Sequence, residues 1–178
     1  MHLQQHALVS WLIAEAGPGT MARRDRALVL LAGLAPDLDA LTLLFGVEAY
    51  QKWHHLVLHN VAGAAGTVLV CAAFAGQRPA VALLAAAAFH AHLVCDLLGS
   101  GGPDGSIWPI PYFAPFHMRE YSYGGQWGLG SWQNVAIMVA LVAAAVHLAK
   151  RRGRSIVEAI SPRADAAVVA VFRRRWPL

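Results

Sequence analysis

Carboxylates inside apolar runs that are long enough to span a membrane place the strongest constraint on how this chain can fold. Asp37 and Asp39 interrupt the apolar run Ala27–Gly46, and Asp96 lies near the end of a second run, Pro79–Leu98. Charged groups in apolar helices are costly, so they usually face a partner, a proton path or a metal ion. The pattern therefore predicts a polar site enclosed by apolar helices.

The composition favours a membrane protein over the alternative, a very apolar soluble helical protein. Of 178 residues, 57% are hydrophobic and 13% are charged, about half the usual charged fraction, and the mean hydropathy is +0.47. No segment alternates convincingly as a strand, so we predict an all-α fold, a polytopic membrane helical bundle of about four to five helices. Its predicted helices are Leu3–Ala16, Ala27–Gly46, Leu56–Gly76, Pro79–Leu98 and Asn134–Ala149, followed by a long aromatic loop within Gly99–Trp132 and a basic C-terminal amphipathic helix, Pro162–Trp176.

The distribution of Lys and Arg predicts an orientation and a division of the chain. With four spans over 27–46, 56–76, 79–98 and 134–149 and a cytoplasmic C-terminus, twelve Lys and Arg residues lie inside and two, Lys52 and Arg119, lie outside. This agrees with the positive-inside rule, although eight of the twelve lie in the C-terminal segment. We predict a membrane domain over 1–150 and a basic cytoplasmic tail over 151–178, whose partner is anionic lipid and not nucleic acid.

Histidines gather at the ends of the second and third predicted spans, on the outer side in this topology. His92 and Asp96 are four residues apart and share a helix face, and so do His55 and His59 if the helix includes both. His54 can cooperate with His59 only if it precedes the helix, so the choice between His54 and His55 as a ligand stays open. His90 points nearly opposite to His92, which favours a supporting role, while His117 and His147 are interpreted as solvated and structural residues.

A break in the first predicted span would bring its two carboxylates into the same layer. Pro36 lacks a backbone donor and disfavours helix at the residue before it, so Asp37 and Asp39 can converge although they are two residues apart. His6 joins them if the helix Leu3–Ala16 folds back on the first span. Mixed Asp and His ligands suit a divalent cation, zinc first and manganese as an alternative. We predict that one or two such ions are bound by His6, Asp37, Asp39, His54, His59, His92 and Asp96.

The order of these motifs resembles that of a known family. The elements are His6, then Pro36-Asp37-Leu38-Asp39, then His54-x4-His59, then His92-x3-Asp96, then Trp108-Pro109. Over about residues 1–110 they resemble the YdjM-like family of membrane-bound, metal-dependent hydrolases of the inner membrane. The chain departs from the family pattern at Gln5 and Leu58, where the family has Thr, at His55, where it has Arg, and at Asn60, where Ser is common. The missing Arg would weaken a contact to an anionic group.

The resemblance implies metal-assisted hydrolysis of an ester or phosphoester, in a small molecule or a lipid that reaches the outer leaflet. Asp37 or Asp39 would bridge the ions, the remaining ligands would complete their coordination, and His55 or His90 would act as general base or orient a ligand. The sequence carries no nucleophile elbow that would indicate another hydrolytic mechanism. The alternative is a non-catalytic membrane protein, with a structural or transported metal or an ion path lined by Asp37, Asp39 and Asp96.

Overall fold

The computed structural model describes residues 1–102 and 104–176, which form seven α-helices and two 3-10 helices without a β-strand. The predicted all-α fold is confirmed. The predicted number of helices is too low, because the predicted span Ala27–Gly46 is divided at Pro36 and two short helices, Val47–Trp53 and Ile156–Ala159, lie outside the predicted ones. Residue 103 of the predicted loop and residues 177–178 of the predicted tail lie outside the described residues. The helices are α1 (Leu3–Glu15), α2 (Arg23–Leu34), α3 (Val47–Trp53), α4 (Val61–Phe74), α5 (Arg78–Gly99), α6 (Trp132–Arg152) and α7 (Pro162–Arg175), with 3-10 helices at Pro36–Phe45 and Ile156–Ala159.

Two helices in the described part of the chain, α5 and α6, are long and apolar enough to cross a membrane. A third crossing results if α2 and the 3-10 helix Pro36–Phe45 are counted as one span, bent by 55°. The bend lies where Pro36 disfavours a continuous helix. The helix predicted over Leu56–Gly76 is shorter than expected, because α4 has only 14 residues, whereas about 20 are needed for a straight apolar helix to cross the hydrocarbon layer.

Small side chains let the helices of the bundle approach each other closely. Helices α1, α2, α4 and α5 pack around buried residues that include Val29, Ala32 and Ala85. At the crossing of α1 and α2, a Cβ atom on Gly33 would lie 1.8 Å from the Ser10 hydroxyl. Only glycine fits this approach, which is typical of helix pairs in membranes. A second apolar cluster around Phe89 lies along the half of α5 that carries His92 and Asp96.

Charged side chains collect at one end of the bundle, which we call the basic end and define by Glu15, Arg26 and Arg154. The Arg154 guanidinium donates to both carboxylate oxygens of Glu15 at 2.7 and 3.0 Å, and Arg26 Nε donates to the Glu158 carboxylate at 3.3 Å. Helix α6 ends at Gly153, whose φ of 72° is left-handed. The chain then folds back on the start of α2, so the predicted tail is packed against the bundle.

A network around Asn134 holds the opposite end together. The Asn134 side chain donates to the carbonyl of Gly99 at 2.9 Å and accepts from Trp127 Nε1 at 3.0 Å, and Gln5 donates to its carbonyl at 2.8 Å. The N-terminus of α1, the C-terminus of α5 and the N-terminus of α6 therefore meet here. This end also holds the predicted site residues, and we call it the site end.

Candidate metal centre

Four separate elements carry the predicted ligands to the site end. His6 lies near the start of α1, and Asp37 and Asp39 lie in the first turns of the 3-10 helix that follows Pro36. His59 lies in the irregular segment 54–60 between α3 and α4, while His92 lies in the last two turns of α5. The sequence brings these residues together only through tertiary packing, since the elements are up to 90 residues apart.

Asp37, His59, His92 and Asp96 form the central cluster. Each offers one ligand atom, and these atoms all lie within 4.8 Å of one another. His92 Nε2 lies 2.9 Å from Asp96 Oδ2, 3.2 Å from His59 Nε2 and 3.6 Å from Asp37 Oδ1. His59 Nε2 lies 3.4 Å from Asp96 Oδ2. We refer to these four residues as the central cluster.

The hydrogen bonds of the two histidines turn their lone pairs toward the centre of the cluster. His92 Nδ1 donates to the carbonyl of Gly33 at 2.8 Å, and His59 Nδ1 donates to Asp39 Oδ2 at 2.9 Å. These assignments follow from the acceptor character of both partners. In the neutral rings both Nε2 atoms are therefore acceptors, and they face each other and the Asp96 carboxylate. Such a group of acceptors requires a positive charge between them, either a proton or a metal ion.

The separations in the central cluster match those of ligands around one small ion. Ligand atoms about 2.0–2.2 Å from a tetrahedral zinc ion lie roughly 3.3–3.6 Å from one another. Of the four separations given above, those of 3.4 and 3.6 Å lie in this range, and those of 2.9 and 3.2 Å are shorter by at most 0.4 Å. Two imidazoles and two carboxylates also form a donor set that borderline divalent cations accept. The residues present thus fit a small divalent ion.

His6 lies against the central cluster and has buried atoms without partners. Its ring stacks on His92 with 3.7 Å between centroids, and its Nε2 lies 3.1 Å from Asp96 Oδ1. Neither ring nitrogen of His6 makes a hydrogen bond, and neither does Asp96 Oδ2, although all three atoms are buried. Ser100 Oγ donates to Asp96 Oδ1 at 2.7 Å, and the Met1 amino group also contacts this oxygen. Buried polar atoms without partners are costly, so an ion at this point would satisfy them.

Asp39 acts as the acceptor that shapes the segment 54–60. Its Oδ1 accepts from His54 Nδ1 at 2.5 Å, and its Oδ2 accepts from His59 Nδ1 and from the backbone N–H groups of His55 and Leu58. Asp39 also forms a second group of potential metal ligands with His54 and His59. Since each of its oxygens already meets a donor, we interpret Asp39 as a residue that positions His59.

The protonation of His59 reflects the two carboxylates beside it. Burial alone lowers the pKa of His59, but the negative charges of the Asp39 and Asp96 carboxylates beside its ring outweigh burial and raise the pKa to about 9. A proton on the ring is thus held strongly when no metal competes for the same nitrogen. Metal binding displaces ligand protons, which makes metal affinity depend on pH.

A cavity of about 260 Å³ opens beside the central cluster. Asp37, Asp96, His54 and His55 contribute its polar lining, and Trp108 is one of its apolar walls. Among the side chains of the central cluster, that of Asp37 is 22% exposed, whereas those of His59, His92 and Asp96 are at most 3% exposed. Solvent therefore reaches the cluster from the Asp37 side.

His55 occupies an unusual backbone position on the wall of this cavity. Its φ of 68° is left-handed, which costs a non-glycine residue about 1–3 kcal/mol and often marks a functional site. Its ring packs against Trp108, and its Nδ1 lies 3.4 Å from the Pro109 carbonyl. Burial, with the nearby His59, lowers the pKa of His55 to about 3. The ring is neutral, and with Nδ1 turned toward the carbonyl its Nε2 is left as an acceptor.

The segment 54–60 contradicts one expectation from the sequence. His55 and His59 do not share a helix face, because residues 54–60 are not helical and α4 begins only at Val61. His54 precedes the helix, as its predicted cooperation with His59 requires. Both histidines contact the carboxylate of Asp39.

The other histidines lie apart from the central cluster. His90 is exposed and contacts the hydroxyl of Tyr112 at 2.8 Å, so its ring is engaged on the outside of α5. His117 accepts from the backbone N–H of Arg119 at 3.0 Å in an exposed loop. His147 is exposed in the C-terminal half of α6, toward the basic end.

Two contacts to the cluster were not anticipated from the sequence. The Gly33 carbonyl that orients His92 has no sequence signal, because every residue has a carbonyl group. Ser100, four residues after Asp96 on the same helix face, could have been found by the spacing that drew attention to His92.

Comparison with known proteins identifies the family of the chain. A model of the YdjM inner membrane protein family matches residues 1–176, so the chain belongs to this family. No curated protein and no solved structure matches the chain.

Proposed function

We propose that this YdjM family member is a membrane-bound, metal-dependent hydrolase that splits an ester or phosphoester with water. The convergence of four ligand atoms within 4.8 Å, from three separate elements, carries this proposal. We assign one divalent ion, zinc by preference, to Asp37, His59, His92 and Asp96, with His6 as an additional ligand. We assign Asp39 and His54 to the support of these ligands. A second ion is less favoured, because the Asp39 oxygens already accept hydrogen bonds from His54 and His59.

The chemistry that the ion supplies when bound is Lewis acidity, which lowers the pKa of water and stabilises charge on a phosphoryl or acyl oxygen. We assign proton acceptance to Asp37, because its carboxylate borders both the cluster and the cavity. The water oxygen adds to the phosphorus or acyl carbon, and the proton taken up by Asp37 passes to the leaving oxygen. His55, with a pKa of about 3, is a weak base suited to accepting a hydrogen bond that orients the water.

The open side of the site favours an enzyme over a structural metal protein. A structural site is closed by protein ligands, whereas a catalytic site keeps a position for water or substrate. The cavity that reaches Asp37 and Asp96 provides such a position. An ion path would require a further polar route through the bundle, and the apolar core around Val29 and Ala85 lies between the cluster and the basic end.

Metal analysis and hydrolysis assays on protein purified in detergent test this proposal. The His92→Ala variant should lose its metal and at least a hundredfold of the turnover with the parent's substrate, because a ligand is removed. The matched control is His147→Ala, the same exchange in α6, which should keep both metal and turnover. Full metal content in His92→Ala would refute the ligand assignment. Metal-loaded parent protein without activity on ester and phosphoester panels would favour the structural metal.

We also propose that the basic end faces the cytoplasm and that the chain crosses the inner membrane more than once. The Arg residues at the start of α2, those at the end of α6 and Arg173–Arg175 of α7 support this orientation through the positive-inside rule. A reporter fused after residue 178 should be active only inside the cell. Activity only outside would reverse the orientation.

A further inference from the structure

An apolar groove of about 680 Å³ runs between α2 and α4 on the outside of the bundle. Its walls include Leu31 and Ala35 on the side of α2 and Gly66 and Val70 on the side of α4. Thr67 and Cys71 carry the only polar side-chain atoms among its lining residues. The groove therefore suits a hydrocarbon and offers almost nothing to a polar ligand.

The groove is continuous with the residues that build the metal centre. Leu38, which lies between Asp37 and Asp39 in the chain, lines the groove, and so does Leu58. The backbone N–H of Leu58 donates to Asp39 Oδ2 at 3.4 Å. From these residues the groove follows α2 back to Leu28, seven residues before Ala35, or about 10 Å along the helix. One end of the groove thus lies beside the metal centre and the other points toward the basic end.

The small residues on the groove wall leave space that the protein does not fill. A Cβ atom on Gly66 would have no neighbour within 4 Å, whereas one on Gly33, at the crossing with α1, would collide with Ser10. Small residues in membrane helices usually draw two helices together, as Gly33 does. The side of α4 that carries Gly66 is not used in this way, and Leu31 and Val70 in the groove are 58% and 56% exposed.

We propose that this groove holds an acyl chain of a membrane lipid, placing the ester or phosphoester of that lipid at the metal centre. The proposal rests on the hydrolase function proposed above and names its substrate class. The chain belongs to an inner membrane protein family, and the exposed side chains of Leu31 and Val70 in the groove are suited to contact with lipid chains.

The groove should act on orientation more than on affinity. Lipid tails are as apolar as leucine side chains, so moving an acyl chain from the bilayer into the groove yields little binding energy. Holding the chain beside Leu38 and Leu58 restricts where the polar part of the lipid can lie, and the cavity of about 260 Å³ beside the central cluster accommodates only a small group. We therefore expect the groove to raise turnover of lipid substrates and to have no effect on short-chain ones.

A blocking variant and a matched control test the proposal in lipid discs. The blocking variant, Gly66→Trp, places a large ring in the groove without a clash at its Cβ atom. The control, Leu69→Trp, places the same ring on α4 at an exposed position that does not line the groove. The discs contain phosphatidylethanolamine and phosphatidylglycerol with a trace of phosphatidylethanolamine that carries a diazirine in one acyl chain. Photolabelling at Leu31 and Val70, read by mass spectrometry, should fall at least tenfold in Gly66→Trp and stay unchanged in Leu69→Trp.

Labelling and metal content separate this proposal from the proposed function. Both variants should retain the metal of the parent. Equal labelling of the groove in the parent and in Gly66→Trp would overturn the groove assignment. A crosslink between two copies of a Val70→Cys variant would also overturn it, because a second copy would then cover the groove. If the parent hydrolyses a lipid, Gly66→Trp should slow that reaction at least tenfold and should leave the hydrolysis of a soluble short-chain analogue unchanged. Equal slowing of the two reactions would overturn the proposal. If the parent hydrolyses nothing, the proposed function fails while the labelling still decides the groove.

Discussion

Asp39→Asn distinguishes a carboxylate that binds the ion from one that orients a ligand. Asparagine keeps the shape of Asp39 and one acceptor oxygen, and it loses the negative charge. Three of the four donors around Asp39 converge on Oδ2, and only His54 Nδ1 meets Oδ1. We expect the amide oxygen to take the Oδ2 position, with the NH2 group facing His54, which can change tautomer and accept. His59 would then keep its orientation, with its Nε2 toward the central cluster.

The expected loss follows from this geometry. Removing a partner that orients a metal-bound histidine typically costs 10–100-fold in metal affinity, which equals about 1.4–2.7 kcal/mol. Because Asp39→Asn preserves the contact to His59, its loss should lie near tenfold. Asp39→Ala removes every contact to the segment 54–60, and its loss should reach a hundredfold or more.

Titration of metal-stripped protein with Zn²⁺ in detergent measures these losses. The matched control is Asp25→Asn, which neutralises another buried carboxylate, one that accepts from the backbone N–H groups of Gly76 and Gln77 at 2.9 and 2.8 Å. This control should lower the melting temperature and leave the zinc affinity unchanged. If Asp39→Asn loses the metal as completely as His92→Ala, Asp39 is itself a ligand. If its affinity equals that of the parent, the link from Asp39 through His59 to the ion is refuted.

Three further predictions concern stability. The pKa of His55 is about 3 in the folded protein, against an ordinary value of 6.5. Its contribution to stability is therefore present above about pH 6.5 and is lost as the pH falls toward 3. Melting curves of the parent should show this loss, and a His55→Gln variant with the same acid dependence would refute the prediction. Gly33→Ala should destabilise the crossing of α1 and α2 by about 1–3 kcal/mol, and adding Ser10→Gly should recover part of the loss; no recovery in the double variant would place the strain elsewhere. Arg154→Ala leaves the buried Glu15 without its paired hydrogen bonds and should cost about 1–3 kcal/mol, whereas exchange of the exposed Arg163 should leave the melting temperature unchanged.

The helices that depend on local signals were predictable, and the conformation set by distant contacts was not. Helices α5 and α6 follow continuous apolar runs, and the bend after α2 follows from Pro36, whose ring acts on its immediate neighbours. The segment 54–60 continues into an apolar run and looks helical by the same criteria. Its conformation is instead set by the Asp39 carboxylate, 15–20 residues away in the chain, which accepts from two of its backbone N–H groups. A buried carboxylate that gathers several donors can outweigh a modest helix preference, since each hydrogen bond to a charge is worth about 1.5–3 kcal/mol.

The members of the site were easier to predict than their roles, because roles depend on which atoms face each other. Asp37 and Asp39 are two residues apart, and the sequence treats them as equivalent candidates. The break at Pro36 points Asp37 at His92 and the cavity, and it points Asp39 at the segment 54–60. In the proposed function, Asp37 would thereby meet the ion and a substrate, while Asp39 holds the ring of His59. The two aspartates thus have complementary roles in the same site. Leu38 between them lines the groove that we assign to the lipid.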